Sequence, residues 1–117
     1  MDLDQAITKH AEWKIKFRSA ISKQETMDAS TIAKDNCCEL GKWLHGEAKA
    51  KFGKLQSYAQ CVSKHAEFHT QASKVAQAIN AKQYTEAEKM ISNGTPYFQA
   101  SSAVGVAIIA LKKEAGL

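Results

Sequence analysis

Two histidines, His65 and His69, stand four residues apart in the stretch Lys64–His69. On an α-helix, residues at this spacing share one face, with Cβ atoms about 5–6 Å apart, so both imidazoles can reach one metal ion. The stretch differs from the zinc-protease motif H-E-x-x-H, in which a glutamate that acts as general base follows the first histidine. Glu67 lies about 200° around the helix from each histidine, and we assign it no catalytic role. The spacing predicts a metal site that needs further ligands.

Both histidines lie on the apolar stripe of a helix that the sequence predicts from about Lys54 to Asn80. The stripe residues recur at intervals of three and four, apart from the adjacent pair Val75 and Ala76, and are Leu55, Tyr58, Val62, His65, His69, Ala72, Val75, Ala76 and Ile79. Such a stripe faces the protein core, so both imidazoles should be buried. Burial without a metal would require separate hydrogen-bond partners for several ring nitrogens. We therefore favour shared metal binding.

A third histidine, His10, lies on the apolar stripe of a predicted first helix. The stripe comprises Leu3, Ala6, Ile7, His10, Trp13, Phe17, Ala20 and Ile21. Asp2 or Asp4 can cap the start of this helix. A lone buried histidine is usually satisfied by one hydrogen bond, so His10 becomes a candidate ligand only beside the histidine pair on the other helix.

A short helix is predicted from Asn36 to His45, with Asp35 as its N-cap and Gly46 as its end. It carries two adjacent cysteines, Cys37 and Cys38. Either could be a metal ligand, or simply a small hydrophobic residue. Within this helix Gly41 costs about 1 kcal/mol relative to alanine, which indicates a close approach of its backbone to another backbone or to a metal site.

The last helix is predicted to begin near Thr85 and to be kinked or divided at Pro96, because proline disrupts a helix interior. Three long amphipathic helices and a short one, joined by short connections, predict an all-α protein. We expect an antiparallel four-helix bundle with a short extra helix that carries the metal-binding cysteine.

Such a bundle can bring His10, His65 and His69 together at mid-height, with Cys37 or Cys38 as the fourth ligand. Three imidazoles and one thiolate form a closed tetrahedral set suited to Zn²⁺. A catalytic zinc needs an open coordination position, so we predict that the protein is not an enzyme.

Composition limits the class of protein. A chain of 117 residues is one domain, residues 1–117. No apolar run approaches the roughly 20 residues of a membrane span, and the N-terminus does not resemble a signal peptide. Three cysteines, two of them adjacent, are a poor disulfide framework, which favours the cytoplasm. The net charge of +4 comes from dispersed lysines rather than a basic patch, so we expect no nucleic-acid partner.

Three blocks in the chain together resemble the chemoreceptor zinc-binding domain family. They are His10–Trp13, Cys38–Trp43 and His65–His69, separated by 27 residues between His10 and Cys38 and by 26 between Cys38 and His65. The family pattern is a histidine followed by an aromatic, then C-x-(L/F)-G-x-(W/F), then H-x-x-x-H. Trp13 stands one place later than the aromatic of some members. The resemblance covers about residues 2 to 113.

The resemblance implies zinc binding by His10, Cys38, His65 and His69. It selects Cys38 over Cys37 because Cys38 is the cysteine three residues before the glycine of the pattern. It leaves Cys37, Cys61 and His45 outside the site. Carboxylates or carbonyls should orient the imidazoles, and Asp35, Glu12 and Glu39 are the nearest carboxylates in sequence.

Members of this family are bacterial cytosolic sensory domains, often dimeric, attached to chemoreceptors or diguanylate cyclases. The resemblance therefore implies a homodimeric regulatory domain that responds to zinc or to oxidation of the zinc-bound cysteine and acts on chemotaxis or cyclic-di-GMP signalling. We expect the segment from Asp35 to His45 to shift or unfold locally when Cys38 leaves the metal. The alternative is a structural or adaptor bundle in which zinc only stabilises the fold.

Overall fold

The computed structural model describes residues 1–117, and all of its regular structure is helical, which confirms the predicted all-α class. Its eight helices are α1 (Leu3–Ala11), α2 (Trp13–Lys23), α3 (Ala29–Ile32), α4 (Glu39–His45), α5 (Glu47–Phe52), α6 (Gln56–Asn80), α7 (Tyr84–Met90) and α8 (Pro96–Ala115). No helix is both long enough and apolar enough to cross a membrane.

The predicted first helix is observed as α1 and α2, which meet at Glu12. The backbone there stays close to helical, with φ −67° and ψ −17°, and the amide of Lys16 donates to the Glu12 carbonyl at 3.1 Å. Asp2 caps α1 by accepting from the amide of Gln5 at 3.1 Å. The two helices therefore act as one rod that presents a nearly continuous apolar stripe.

Contacts at the two ends of the bundle define the directions of the rods. Near the end of α6, the Asn80 side chain accepts from the amide of Met27 and donates to its carbonyl, both at 2.7 Å. At the start of α6, Ser57 donates to the Glu114 carboxylate from its hydroxyl, at 2.7 Å, and from its amide, at 3.1 Å. Thus α1–α2 runs parallel to α6, whereas α8 runs antiparallel to both.

Parallel rods require a connection that returns along the bundle, and α3, α4 and α5 form this crossover. Its buried side chains are Ile32, Leu40, Leu44 and Ala48. The long rods thus number three, with the short crossover helices packed against α6 and α1. The finer prediction of four antiparallel helices is not directly confirmed.

Two predicted boundaries differ from the structure. Asp35 and Asn36 do not begin the short helix, because α4 starts at Glu39 and Cys38 is its N-cap. The last predicted helix is divided as expected, but Pro96 is the first residue of α8 rather than an interior kink. Thr95 caps α8 by accepting from the amide of Phe98 at 3.2 Å. Proline suits the first helical turn because its missing N–H has no partner there.

The core is a continuous cluster shared by all three rods. Its largest fully buried hydrophobic side chains are Phe17, Phe68, Leu40, Leu44, Ile79, Ile91, Ile108 and Leu111. Leu44 is fully buried in this cluster, whereas Trp43 is only partly buried and packs at its edge.

Candidate metal centre

Four side chains converge at one point between α1, α4 and α6. His10 is near the end of α1, His65 and His69 are one turn apart on α6, and Cys38 stands at the N-terminus of α4. One ligand atom from each lies within 4.8 Å of the others. The structure therefore brings together the four residues that the family pattern singled out.

The distances among these atoms resemble the edges of a tetrahedron around one ion. The Nε2 atom of His65 lies 3.0 Å from Nε2 of His69, 3.2 Å from Nε2 of His10 and 3.2 Å from Sγ of Cys38. The Cys38 sulfur lies 3.6 Å from His69 and 3.9 Å from His10. Tetrahedral zinc with ordinary bond lengths gives N–N edges of about 3.4 Å and N–S edges of about 3.6 Å.

Hydrogen bonds on the outer sides of two rings orient their inner nitrogens. Nδ1 of His10 lies 2.7 Å from the carbonyl oxygen of Ala6, and Nδ1 of His69 lies 2.8 Å from that of Ile32. A carbonyl only accepts, so each Nδ1 carries the proton and each neutral ring turns the lone pair of Nε2 inward. Lone pairs that face one another repel, and a cation between them removes this repulsion. The donor set therefore fits a metal ion.

His65 differs from the other two histidines because its Nδ1 is buried without a hydrogen-bond partner. An unsatisfied buried polar group costs about 1–3 kcal/mol. In the metal-free protein no tautomer of His65 satisfies this atom. Coordination through Nε2 would offset the cost, so the ring is placed for metal binding rather than for core stability.

Burial keeps the three imidazoles neutral. It lowers the pKa of His65 to about 3, helped by the neighbouring His69 and His10 rings. Burial also lowers the pKa values of His10 and His69, partly opposed by the carbonyls of Ala6 and Ile32. Neutral imidazole is the form that binds metals, so protons do not compete for these nitrogens near neutral pH.

The Cys38 thiol lies in a different electrostatic setting. Burial raises its pKa, while the backbone amides at the start of α4 act in the opposite direction. Without a metal the residue is therefore a neutral thiol at pH 7. Zinc binds thiolate, so binding would release one proton from Cys38.

The metal-free protein should lose stability as the pH falls below about 6.5. An unfolded histidine has a pKa near 6.5, whereas the buried rings have lower values, to about 3 for His65. Between these values the unfolded state binds more protons, so the free energy of unfolding falls by up to about 1.4 kcal/mol per pH unit for each such histidine. Urea unfolding in a chelator from pH 7 to pH 5 measures this slope.

The matched variant is His65→Gln, because His65 is buried and its ring belongs to the cluster. This variant should flatten the slope relative to the parent protein. A parent protein with the same free energy of unfolding at pH 7 and pH 5 would contradict the assignment of neutral buried rings.

The groups that orient the imidazoles are carbonyls, not the three carboxylates named from sequence proximity. Asp35 instead pairs with His45 at 3.1 Å, and Glu39 pairs with Lys9 at 3.3 Å. Glu12 makes no hydrogen bond to a histidine ring. Ala6 could have been found from sequence, because it stands four residues before His10 on the same helix.

Gly41 permits a close backbone approach that positions Cys38. A Cβ atom at Gly41 would overlap the carbonyl oxygen of Asp35, which confirms the approach predicted from the sequence. The amide of Gly41 also donates to the Cys38 sulfur at 3.3 Å. The chain from Asp35 to Cys38 therefore folds back against α4, and the sulfur lies at the helix N-terminus.

A cleft of about 480 Å³ opens beside the cluster, between α1–α2 and the start of α4. It is lined by Met1, Asp2, Gln5, Ala6, Lys9, His10, Glu12, Trp13, Lys16, Cys38, Glu39 and Leu40. Cys38 is half-buried, whereas His65 is fully buried. Among the four side chains, the Cys38 sulfur is therefore the one most open to small molecules from solvent.

The remaining cysteines and the fourth histidine lie outside the cluster, as the family pattern implied. Cys61 is buried in the core, where burial raises the pKa of its thiol to about 11. Cys37 is exposed on the loop before α4.

Comparison with known families agrees with this geometry. The family model described as the chemoreceptor zinc-binding domain matches residues 10–76, a range that includes all four clustered side chains and more than half of the chain. The protein therefore belongs to the chemoreceptor zinc-binding domain family, and zinc is its metal cofactor. No curated protein and no solved structure matches the chain.

Proposed function

We propose that this domain is a zinc-dependent regulatory module in which His10, Cys38, His65 and His69 hold one Zn²⁺. The observation that carries the proposal is the convergence of three inward-facing imidazole nitrogens and one thiol, all within 4.8 Å of one another. Four protein ligands leave no coordination position for a substrate. The arrangement therefore suits sensing or stabilisation rather than catalysis.

We assign the detachable position to Cys38. The three histidines belong to the long rods and are nearly or fully buried, whereas Cys38 belongs to the crossover and is only half-buried where it borders the cleft. Bound zinc would hold the sulfur as thiolate, which is the form that oxidants attack. Oxidation would thus act on the ligand that is most open to a small oxidant.

The consequence for the fold should be local. Cys38 caps α4, a helix of seven residues, and loss of an N-cap costs about 0.5–2 kcal/mol. The far end of α4 remains anchored, because the Tyr58 hydroxyl donates to the Leu44 carbonyl at 2.6 Å. Local unfolding would therefore concentrate between Asp35 and Gly41 and fade towards His45.

Membership of the family supports a signalling partner. We propose a cytoplasmic domain that acts on a chemoreceptor or a diguanylate cyclase and so on chemotaxis or cyclic-di-GMP output. The outer face of α8 exposes Phe98, Val106 and Ile109, with exposed fractions of 37%, 68% and 48%. This apolar face supports the proposal of a homodimer.

A second candidate function is a structural bundle in which zinc only stabilises the fold. The buried, unpartnered Nδ1 of His65 favours it, because zinc would offset the cost of burying this ring. The two functions differ in whether zinc leaves when Cys38 is oxidised.

Zinc release on oxidation tests the proposal. We expect about one zinc per chain after purification without added metal, and release of that zinc in step with Cys38 oxidation by a stoichiometric dose of hypochlorous acid. A colorimetric zinc indicator and mass spectrometry of Cys38 measure the two processes together. Cys61→Ser, which alters a thiol buried in the core, serves as the control and should behave like the parent. Zinc that stays bound after Cys38 is oxidised would favour the structural role.

A further inference from the structure

We propose that Cys37 is a resolving thiol that attacks the oxidised Cys38 and closes a disulfide between these adjacent residues. This inference rests on the proposed function, in which Cys38 is the oxidised ligand. It assigns a modification site to a residue that has no part in the zinc cluster. The chemical class of the first reactant is a hydroperoxide.

Cys37 is available for this reaction because it lies outside the group that would hold zinc. It is exposed, and its sulfur donates one hydrogen bond, to the side-chain oxygen of Asn36 at 3.6 Å. The metal-binding group contains the sulfur of Cys38 and not that of Cys37. A second thiol therefore stands one residue from the ligand that the cleft exposes.

Few backbone hydrogen bonds hold the segment that carries the pair. The segment between α3 and α4 includes Asp35, Asn36 and Cys37. None of these residues makes a backbone–backbone hydrogen bond of good geometry. Cys38 itself has an extended backbone, with φ −82° and ψ 163°. If the Cys38 side chain turns from the metal towards Cys37, its sulfur no longer caps α4. No backbone hydrogen bond within a helix has to break.

The product would be strained and for that reason reversible. Adjacent Cα atoms are about 3.8 Å apart across a trans peptide, below the usual range of about 4.4–6.8 Å for disulfides. Strained, exposed disulfides are the easily reduced ones. A disulfide at this position would protect Cys38 from irreversible oxidation to sulfinic acid while remaining open to cellular dithiols.

The chemistry balances in two steps. The Cys38 thiolate attacks one oxygen of a hydroperoxide, so that an S–O bond forms, the O–O bond breaks, and alkoxide or hydroxide leaves. The sulfur is oxidised by two electrons to sulfenic acid. The Cys37 sulfur then attacks the sulfenic sulfur, the S–S bond forms, and the S–O bond breaks. The departing hydroxyl takes the Cys37 proton and leaves as water, and an external dithiol later reduces the disulfide.

The test compares the zinc-loaded parent with Cys37→Ser after treatment with hydrogen peroxide. Trypsin places both cysteines of the pair on the peptide from Asp35 to Lys42 and Cys61 on the peptide from Leu55 to Lys64. In the parent, the first peptide should lose two hydrogen atoms, and dithiothreitol should restore both the peptide and zinc binding. The second peptide should stay unmodified, because Cys61 is buried.

In Cys37→Ser, zinc should leave at the same rate, but the peptide should gain one and then two oxygen atoms, and dithiothreitol should fail to restore zinc binding. Equal products and equal recovery in the two proteins would overturn the role of Cys37. A disulfide that joins two chains through Cys37 would also overturn it. Zinc retained in the parent after Cys38 has reacted would instead overturn the proposed function, so the two failures are distinguishable.

Discussion

Replacing His65 with leucine should abolish tight zinc binding while leaving the metal-free fold at least as stable as the parent. The His65 Nε2 lies within 3.2 Å of an atom of each other candidate ligand, so its loss should cost about 3 kcal/mol of binding, a quarter of the roughly 10–16 kcal/mol of structural zinc sites. That is a loss of more than about a hundredfold in affinity. Competition with a chelator of known affinity measures it.

In the metal-free protein, the same substitution should not lower the free energy of unfolding. His65 is fully buried, and its Nδ1 atom has no hydrogen-bond partner. Leucine removes that unsatisfied atom and fills a similar volume, so the free energy of unfolding in chelator should hold or rise by about 1 kcal/mol. Urea unfolding with and without zinc gives both values. His45→Ala should keep the parent's affinity, and a leucine variant that binds zinc within threefold of the parent would exclude His65 as a ligand.

Replacing Gly41 with alanine should destabilise the protein by about 2–4 kcal/mol and weaken zinc binding. The new Cβ would overlap the carbonyl oxygen of Asp35, which is backbone and cannot rotate away. The chain from Asp35 to Cys38 must then move off α4, and the sulfur moves with it. Urea unfolding of the zinc-loaded and metal-free proteins, with chelator competition, measures both effects.

Gly105 on α8 provides a matched control. A Cβ there meets no atom within 4 Å, so Gly105→Ala should stabilise the protein by about 0.5–1 kcal/mol through helix propensity alone. If the two alanine variants shift the free energy of unfolding in the same direction, the close approach at Gly41 does not determine the position of Cys38.

The histidines of the site could be predicted because helical periodicity is local. Three- and four-residue spacing is visible in the chain itself, so His10, His65 and His69 could be placed on buried faces without knowledge of the tertiary structure. The choice between Cys37 and Cys38 could not be made in this way. It depends on where α4 begins, and the contact between Asp35 and Gly41 sets that boundary through a fold-back of the chain.

The two carbonyls that orient histidine rings differ in the same way, because one is local in sequence and the other is not. The carbonyl of Ala6 is one helical turn from His10 and was within reach of a sequence argument. The carbonyl of Ile32 meets His69 across 37 residues of sequence, and only the docking of α3 on α6 brings them together. The parallel direction of α1–α2 and α6 could not be predicted from the sequence either, because it depends on the path of the crossover rather than on any periodic pattern.

The return path of the crossover also bears on the order in which the molecule assembles. The long helices α6 and α8 pack antiparallel, and only the short helix α7 and short connections separate them in sequence. Little chain entropy therefore opposes their early association. The parallel rod α1–α2 can dock beside α6 only with the crossover, residues 24–55, closed between them. Since the four proposed zinc ligands come from α1, the crossover and α6, the complete set comes together only after this closure. Zinc would then bind to a nearly finished fold and secure its last step, rather than nucleate its first.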